Sequence, residues 1–150
     1  MRKYLVAAAG IAMIASANGA FAASATSNFN VRVTVSAACT VSAGDMVFGP
    51  YSGSIPAGAT ATTTANVSCN NGTSYALSFN ASTSQGTATA TMVNPAPGAT
   101  SIPANLTVAT TSKTATGGVD GTPINGVITA GVNNPVVGTY TVAQAIYVLY

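Results

Sequence analysis

Histidine, tryptophan and glutamate are absent from this 150-residue sequence, and its only acidic residues are Asp45 and Asp120. General acid–base catalysis usually requires a histidine or a pair of carboxylates, and the many serines and threonines have no candidate base to activate them. Asp45 and Asp120 each adjoin a glycine, so we expect both to lie in turns. The sequence therefore predicts a protein that is not an enzyme and that uses no cofactor.

The first 22 residues have the features of a secretory signal peptide. Basic residues at positions 2 and 3 precede an apolar run from Leu5 to Ala17, and Ala20-Phe21-Ala22 offers small residues at the two positions that a signal peptidase reads. The apolar run is too short to span a bilayer. A buried N-terminal helix is the alternative interpretation. We predict that residues 1–22 are a signal peptide and that the chain is exported to the periplasm.

The remaining chain is almost uncharged. Arg32 and Lys113 balance Asp45 and Asp120, so the side chains beyond residue 22 have no formal net charge. No basic patch is left to bind nucleic acid. A neutral surface rich in threonine, serine, asparagine and alanine is poorly protected against self-association, which suits a subunit that polymerises better than a freely soluble enzyme.

Cysteine is limited to Cys39 and Cys69. A single pair of cysteines in an exported chain is expected to form a disulfide. Two cysteines without any histidine do not supply the four ligands of a structural zinc site. The sequence therefore predicts one disulfide and no metal site.

Residues 28–41, N-F-N-V-R-V-T-V-S-A-A-C-T-V, open with a strict alternation of apolar and polar side chains. Phe29, Val31, Val33 and Val35 would share one face of an extended strand. Such a strand can be the first strand of its own domain, or it can fill a gap in the sheet of a neighbouring molecule. The residues alone leave both alternatives open.

Strands and turns, with no helix, are predicted beyond this stretch. The predicted strands are Met46–Tyr51, Ala59–Cys69, Tyr75–Phe79, Thr87–Val93, Ile102–Ala109 and Ile124–Ala130, and an apolar run, Val136–Tyr150, closes the chain. Asn70-Asn71-Gly72 is predicted to be a hairpin turn, and the glycine-rich segment Thr116–Thr122 to be a loop. Short strands separated by frequent turns are typical of an all-β sandwich. The scarcity of large side chains predicts a thin core.

Several separated motifs resemble one family. They are C-T-V at Cys39–Val41, M-V-F-G-P-Y at Met46–Tyr51, V-S-C at Val67–Cys69, N-G-T-S-Y-A-L-S-F at Asn71–Phe79 and G-T-Y-T-V-A-Q-A-I-Y-V-L-Y at Gly138–Tyr150. Together they resemble the spore coat protein U domain, the module used by major subunits of archaic chaperone–usher pili. The resemblance extends over nearly all of the chain beyond the signal peptide, although residues 102–118 depart from the family's pattern.

The resemblance implies an immunoglobulin-like β-sandwich of roughly seven strands that lacks one strand. A periplasmic chaperone first lends a strand, and the N-terminal segment of the next subunit then replaces it. In this chain, residues 23–37 would be the donor segment, inserting Phe29, Val31, Val33 and Val35, and residues 38–150 would be the sandwich. The final strand would border the acceptor groove and pair with the chaperone through Gly138, Tyr140, Val142, Ile146, Val148 and Tyr150.

The resemblance also implies a homopolymer, assembled through an outer-membrane usher into a cell-surface pilus for attachment to host or abiotic surfaces or for biofilm formation. Two alternatives come from other classes of protein. One is a secreted coat or matrix protein whose opening strand completes its own sheet. The other is a carbohydrate-binding adhesin domain that uses the tyrosines Tyr51, Tyr75, Tyr140, Tyr147 and Tyr150, although packing is the commoner role of tyrosine.

Overall fold

The computed structural model of the chain describes residues 24–110 and 112–150, which fall into two units, 24–34 and 35–150. Every regular element of these residues is a β-strand, as expected of a chain rich in threonine and valine. The prediction of an all-β fold is confirmed. The predicted signal peptide, residues 1–22, lies outside the described residues.

The described residues contain ten strands. In chain order they are β1 (Cys39–Ala43), β2 (Ser54–Ile55), β3 (Thr60–Cys69), β4 (Ser74–Ser78), β5 (Thr87–Met92), β6 (Ile102–Val108), β7 (Lys113–Thr114), β8 (Val119–Ile128), β9 (Val132–Asn133) and β10 (Tyr147–Leu149). The two longest, β3 and β8, each have ten residues, and they form the centre of the fold.

The first layer is a five-stranded antiparallel sheet in the order β1-β3-β8-β6-β5. Its central ladder pairs Thr60 with Val127 at one end and Ser68 with Val119 at the other. Alternate residues in the second half of β3 and β8 are buried and those between them are exposed, because successive side chains of a strand point to opposite faces. One face of this sheet therefore packs into the core, and the other carries mostly threonine and asparagine to solvent.

The second layer comprises the sheet β10-β4-β7 and the two-stranded sheet β2-β9. The layers meet in two clusters of buried residues. The first cluster contains Ala65, Val67, Cys69, Tyr75, Leu77, Val108, Ala115 and Ile124. The second cluster contains Ile55, Ile102, Ala104 and Ile128. Packed in this way, the sheets form an immunoglobulin-like β-sandwich, as predicted.

The segment Asn70–Gly72 is a turn but not a hairpin turn, so that prediction is wrong. Gly72 has a φ of 82°, and the Thr73 amide donates to the Asn70 carbonyl over 3.1 Å. The flanking strands β3 and β4 belong to different sheets. A type I′ hairpin needs positive φ at both central residues, and Asn71 does not adopt it. The turn carries the chain from one layer of the sandwich to the other.

Asp120 lies in a strand, so the prediction of a turn there, and of a loop through Thr122, is wrong. β8 begins at Val119, and Asp120 pairs with Val67 of β3. The ladder continues through the neighbouring glycine, which pairs with Asn66. The Tyr75 hydroxyl donates a hydrogen bond to the Asp120 carboxylate, and this partner allows an acidic side chain to face the core.

Two predicted strands are shorter than the sequence pattern indicates, and the one predicted over Met46–Tyr51 is absent. The strand predicted over residues 28–41 begins only at Cys39, and residues 24–38 include no strand. Residues 44–53 also include none, where Gly49 has a φ of 94° and Pro50 has no amide to donate. The C-terminal run forms β10 and one isolated bridge, between Thr141 and Val93. These segments have the alternation of strands without the ladder partners.

Candidate functional site

The C-terminal strand leaves one edge unpaired. β10 pairs with β4, with Tyr147 opposite Ser78 and Leu149 opposite Ala76. It has no other strand neighbour in the part of the chain that the structure describes. An edge of this kind presents free amide and carbonyl groups, to which a further strand can add.

Apolar side chains along this C-terminal segment are incompletely covered. The exposed or half-buried residues include Tyr140, Val142, Ile146, Val148 and Tyr150. Ile146 and Val148 pack against the first cluster, and Tyr140 packs against the second. Gly138, the first of the predicted acceptor residues, has a φ of 144°, a conformation that favours glycine. Part of the core is therefore open beside the free edge of β10.

Met46 and Phe48 supply apolar side chains from a second segment. Both are half-buried, whereas Val47 between them is 73% exposed. Met46 packs against the first cluster, and Phe48 packs against the second. The segment thus alternates like a strand, although it pairs with no strand in the described residues.

The segments 46–48 and 140–148 run in opposite directions along the core. The first passes from the first cluster to the second, and the other passes from the second cluster to the first. They are not joined by any ladder of the described chain. We use the name edge groove for the half-buried apolar residues of these two segments that pack on the clusters, which are Met46, Phe48, Tyr140, Ile146 and Val148.

Gly126 of β8 lies beneath Met46 and Phe48. A Cβ atom built at this glycine would overlap Met46 Sδ and would lie 2.8 Å from Phe48 Cζ and 3.2 Å from Leu106 Cδ2. Protein interiors are packed too closely to admit such overlaps without movement of the neighbours. The bare backbone at Gly126 therefore lets the Met46 and Phe48 side chains rest directly on the first layer.

The predicted donor side chains are open to solvent. In the unit 24–34, Phe29 is 84% exposed, Val31 87% and Val33 86%, and in the following unit Val35 is 75% exposed. Leaving such side chains in water forfeits the free energy that burial would provide. A contiguous row of exposed apolar side chains is a common mark of an interaction surface.

Cys39 and Cys69 form the predicted disulfide, with an S–S distance of 2.02 Å. They are directly opposite each other in the ladder between β1 and β3. The bond ties the first residue of an edge strand to the last residue of a central strand. It therefore fixes the point at which the chain enters the sandwich.

The residues just before β1 are held at the same end of the sandwich as the C-terminus. The Asn70 amide donates to the Ala38 carbonyl over 3.1 Å, and Asn70 Nδ2 donates to the Ser36 carbonyl over 3.4 Å. A shallow concavity of about 470 Å³ at this end is lined by residues that include Val35 and Tyr150. The root of the predicted donor segment and the last residue of the chain thus lie close together.

A polar cluster links the two layers near this end. Lys113 Nζ of β7 donates to Thr122 Oγ1 over 2.8 Å and to Asp120 Oδ1 over 3.5 Å. Burial, together with the hydrogen bond to Asp120 and the charge of that group, raises the pKa of Tyr75 to about 12. The hydrogen bond from Tyr75, followed by the charge and hydrogen bond of Lys113, lowers the pKa of Asp120. With Tyr75 only 2% exposed, it cannot contribute to a sugar-binding surface of tyrosines.

The sequence does not identify Met46 and Phe48 as residues of the edge groove, or Gly126 as the residue beneath them. The alternation M-V-F predicts a strand but not the surface that the strand faces, and Asn125-Gly126 is a turn signal, although the structure places it inside β8. The nearest signal is that Met46 and Phe48 belong to one of the motifs that carry the family resemblance.

The structure is thus an immunoglobulin-like sandwich with an incompletely covered apolar strip beside the free edge of β10. The model of the Spore Coat Protein U domain family matches residues 25–143, well over half of the chain. The chain therefore belongs to the Spore Coat Protein U domain family and is a coat- or pilus-type subunit. No curated protein and no solved structure gives a match. Among the described residues there is no helix with the length and apolarity needed to cross a membrane.

Proposed function

We propose that the protein is a pilus subunit that polymerises by donor-strand complementation, with residues 27–36 of one molecule filling the edge groove of the next. The observation that carries the proposal is the complementarity of two features of the same chain. One is the exposed row that contains Phe29, Val31 and Val33. The other is the edge groove, where half-buried apolar side chains adjoin backbone groups without ladder partners. The exposed row would gain cover for its apolar side chains, and the edge groove would gain both apolar side chains and a ladder partner.

The size of the donor segment supports this proposal. Residues 29–35 of an extended strand span roughly 20 Å, enough to present four apolar side chains on one face. Full burial of each apolar side chain contributes about 1.5–3 kcal/mol, an upper estimate because the unfolded chain already buries some surface. Backbone hydrogen bonds along both edges add to this. The joint is expected to be tight and to dissociate slowly.

The orientation of the donor follows from where the chain ends lie. Tyr150 and the root of the donor segment occupy the same end of the sandwich. A donor that runs antiparallel to β10 would reach its own domain at the opposite end. Incoming and outgoing joints would then lie at opposite ends of each subunit, which produces a linear fibre. A parallel donor would crowd both joints at one end.

Before assembly the edge groove needs a temporary cover, because an unpaired edge over exposed apolar residues promotes aggregation. We propose that a periplasmic chaperone provides this cover by pairing with residues 138–150, and that an outer-membrane usher exchanges it for the donor segment of the next subunit. The product is a homopolymeric fibre on the cell surface. Its neutral, polar outer sheet suits attachment to a host or abiotic surface and the formation of biofilm.

Val33→Asp tests this function, with Thr34→Asp as the matched control. Both variants add one negative charge, one residue apart, but only residue 33 lies on the apolar face of the donor. Insertion of V33D would bury an unpaired charge. We expect V33D to abolish fibres and T34D to retain them, as measured by electron microscopy and size-exclusion chromatography of protein expressed with its full sequence.

Equal fibre yield from the two variants would show that residues 29–35 are not inserted as proposed. A wild-type protein that remains monomeric at every concentration, with residues 29–35 protected from proteolysis, would instead identify a coat protein that completes its own sheet. Protease protection of this segment only in the polymer is the result that the donor-strand function requires.

A further inference from the structure

Gly126 lies beneath Met46 and Phe48, two residues of the edge groove. Two residues before it in β8, Ile124 belongs to the first cluster, and two residues after it, Ile128 belongs to the second. All three side-chain positions share one face of the strand, since side chains alternate. Gly126 is therefore the position at which the core has no side chain of its own from β8, and Met46 and Phe48 cover it.

We propose that Gly126 is a positioning residue that sets the depth of the edge groove, and so restricts the middle of the incoming strand to side chains no larger than valine. This inference rests on the proposed function and adds the class of strand that the site accepts. The glycine acts through Met46 and Phe48, which can lie flat only because no Cβ is present. We expect the space above them to take a β-branched side chain but not an aromatic ring.

The direction in which Met46 and Phe48 would move supports this. A Cβ at residue 126 would overlap Met46 Sδ and approach Phe48 Cζ to 2.8 Å. Both side chains are half-buried and pack on buried clusters, so we expect them to move toward the open strip. Any side chain at residue 126 would thus displace Met46 and Phe48 and make the groove shallower.

The donor sequence has the corresponding distribution of sizes. Its two central apolar residues are Val31 and Val33, and its one aromatic residue, Phe29, is at an end. A strand centred on Gly126 would place the valines over the shallow middle and the phenylalanine beyond it. A second copy of this chain therefore has the side chains that the groove requires.

A peptide-binding experiment tests the inference on the full-length chain carrying V33D, which prevents self-assembly and leaves the groove free. The ligand is a fluorescent peptide of residues 27–36, and fluorescence anisotropy gives its dissociation constant. Gly126→Ala should weaken binding by about tenfold or more, as overpacking of a filled site does. Gly118→Ala is the control, because a Cβ there meets nothing within 4 Å, and it should leave binding unchanged. Adding Met46→Ala to G126A should restore binding.

A second series varies the peptide and leaves Gly126 unchanged, so that it remains informative if G126A fails to fold. Peptides with Val31→Phe or Val33→Phe should bind the parent protein poorly, and Met46→Ala should improve their affinity relative to the valine peptide by about tenfold. Equal binding by G126A and G118A, or an unchanged size preference in M46A, would overturn the inference. A parent protein that binds no peptide at all would overturn the donor-strand function itself, and the inference with it.

Discussion

At the scale of single residues, the polar cluster of Tyr75, Lys113, Asp120 and Thr122 joins the two layers of a largely apolar core. Tyr75 is buried in the first cluster, yet its hydroxyl reaches the Asp120 carboxylate, whose side chain is 43% exposed. The cluster is thus placed at the border between core and solvent. Each buried hydroxyl has a partner there, since an unsatisfied polar group would be destabilising.

Alkaline pH should destabilise the protein through Tyr75. The pKa of Tyr75 is raised from 10.0 to about 12 in the folded protein. Below pH 10 both folded and unfolded forms keep the proton, so the stabilisation is fully present, and it is lost as pH rises toward 12. Tyr75→Phe should remove most of this decline. Its cost at neutral pH should be about 1 kcal/mol, because the lost hydrogen-bond partner is partly solvated.

Denaturant unfolding followed from pH 7 to 11.5 measures this effect. Tyr150→Phe is the control, since Tyr150 is 63% exposed and makes no side-chain hydrogen bond among the described contacts. We expect Y150F to keep the alkaline decline of the wild type. An unchanged decline in Y75F would mean that another group governs stability in this range.

At the scale of elements, β1 depends on the disulfide more than on packing. The strand has five residues, of which only Cys39 and Val41 are even partly buried, and it is an edge of the five-stranded sheet. Its first ladder position is the Cys39–Cys69 pair. Because the predicted donor segment immediately precedes β1, the covalent bond secures the sandwich at the point where the fibre would pull on it.

Replacement of both cysteines by alanine should therefore lower the free energy of unfolding by about 3–4 kcal/mol, the amount expected from closing a loop of this length. Guanidinium denaturation of the double variant against the oxidised wild type gives the value. Reduced wild type should match the double variant. A loss below about 1 kcal/mol would show that β1 is held by its ladder and not by the disulfide.

Period-two alternation was sufficient to predict β3 and β4. Ala65, Val67 and Cys69 are buried as the pattern of Ala59–Cys69 indicates, and Tyr75 and Leu77 are buried as predicted for the next strand. The pattern reports which face of a strand is apolar, and burial follows from that. The disulfide between the only two cysteines could also be predicted from the sequence.

The sequence did not predict which distant segments pair or pack together in the folded structure. The motif at residues 46–51 alternates like a strand but has no ladder neighbour. Asp120-Gly121 resembles a turn, although the long β3 ladder holds both residues extended. Local propensity is overridden where tertiary pairing supplies or withholds hydrogen bonds. The same limit applies to the edge groove, because Gly126 and Met46 are far apart in sequence and meet only in the folded sandwich.

At the scale of the whole molecule, the chain has two uncovered apolar surfaces. The apolar side chains of residues 29–35 are exposed, and the apolar strip beside β10 is only partly covered. Neither surface is covered by another part of the described residues. In the proposed fibre both surfaces would be covered, because every internal subunit would give one strand and receive one. Only the terminal subunits would then remain incomplete, and the proposed fibre would have two chemically different ends.

Removal of residues 23–35 should therefore produce a chain terminator. The truncated subunit keeps its edge groove and can accept a donor, but it has none to give. Mixed with full-length subunits, it should shorten the fibres in proportion to its mole fraction, as measured by length distributions in electron micrographs. Full-length protein with Val31→Asp and Val33→Asp is the control and should terminate equally well, because it also lacks an insertable face. Binding of the 27–36 peptide at about 100 times its dissociation constant should stabilise the truncated subunit by about 2.7 kcal/mol. Fibres whose length is insensitive to the truncated subunit would mean that the N-terminal segment does not form the joints.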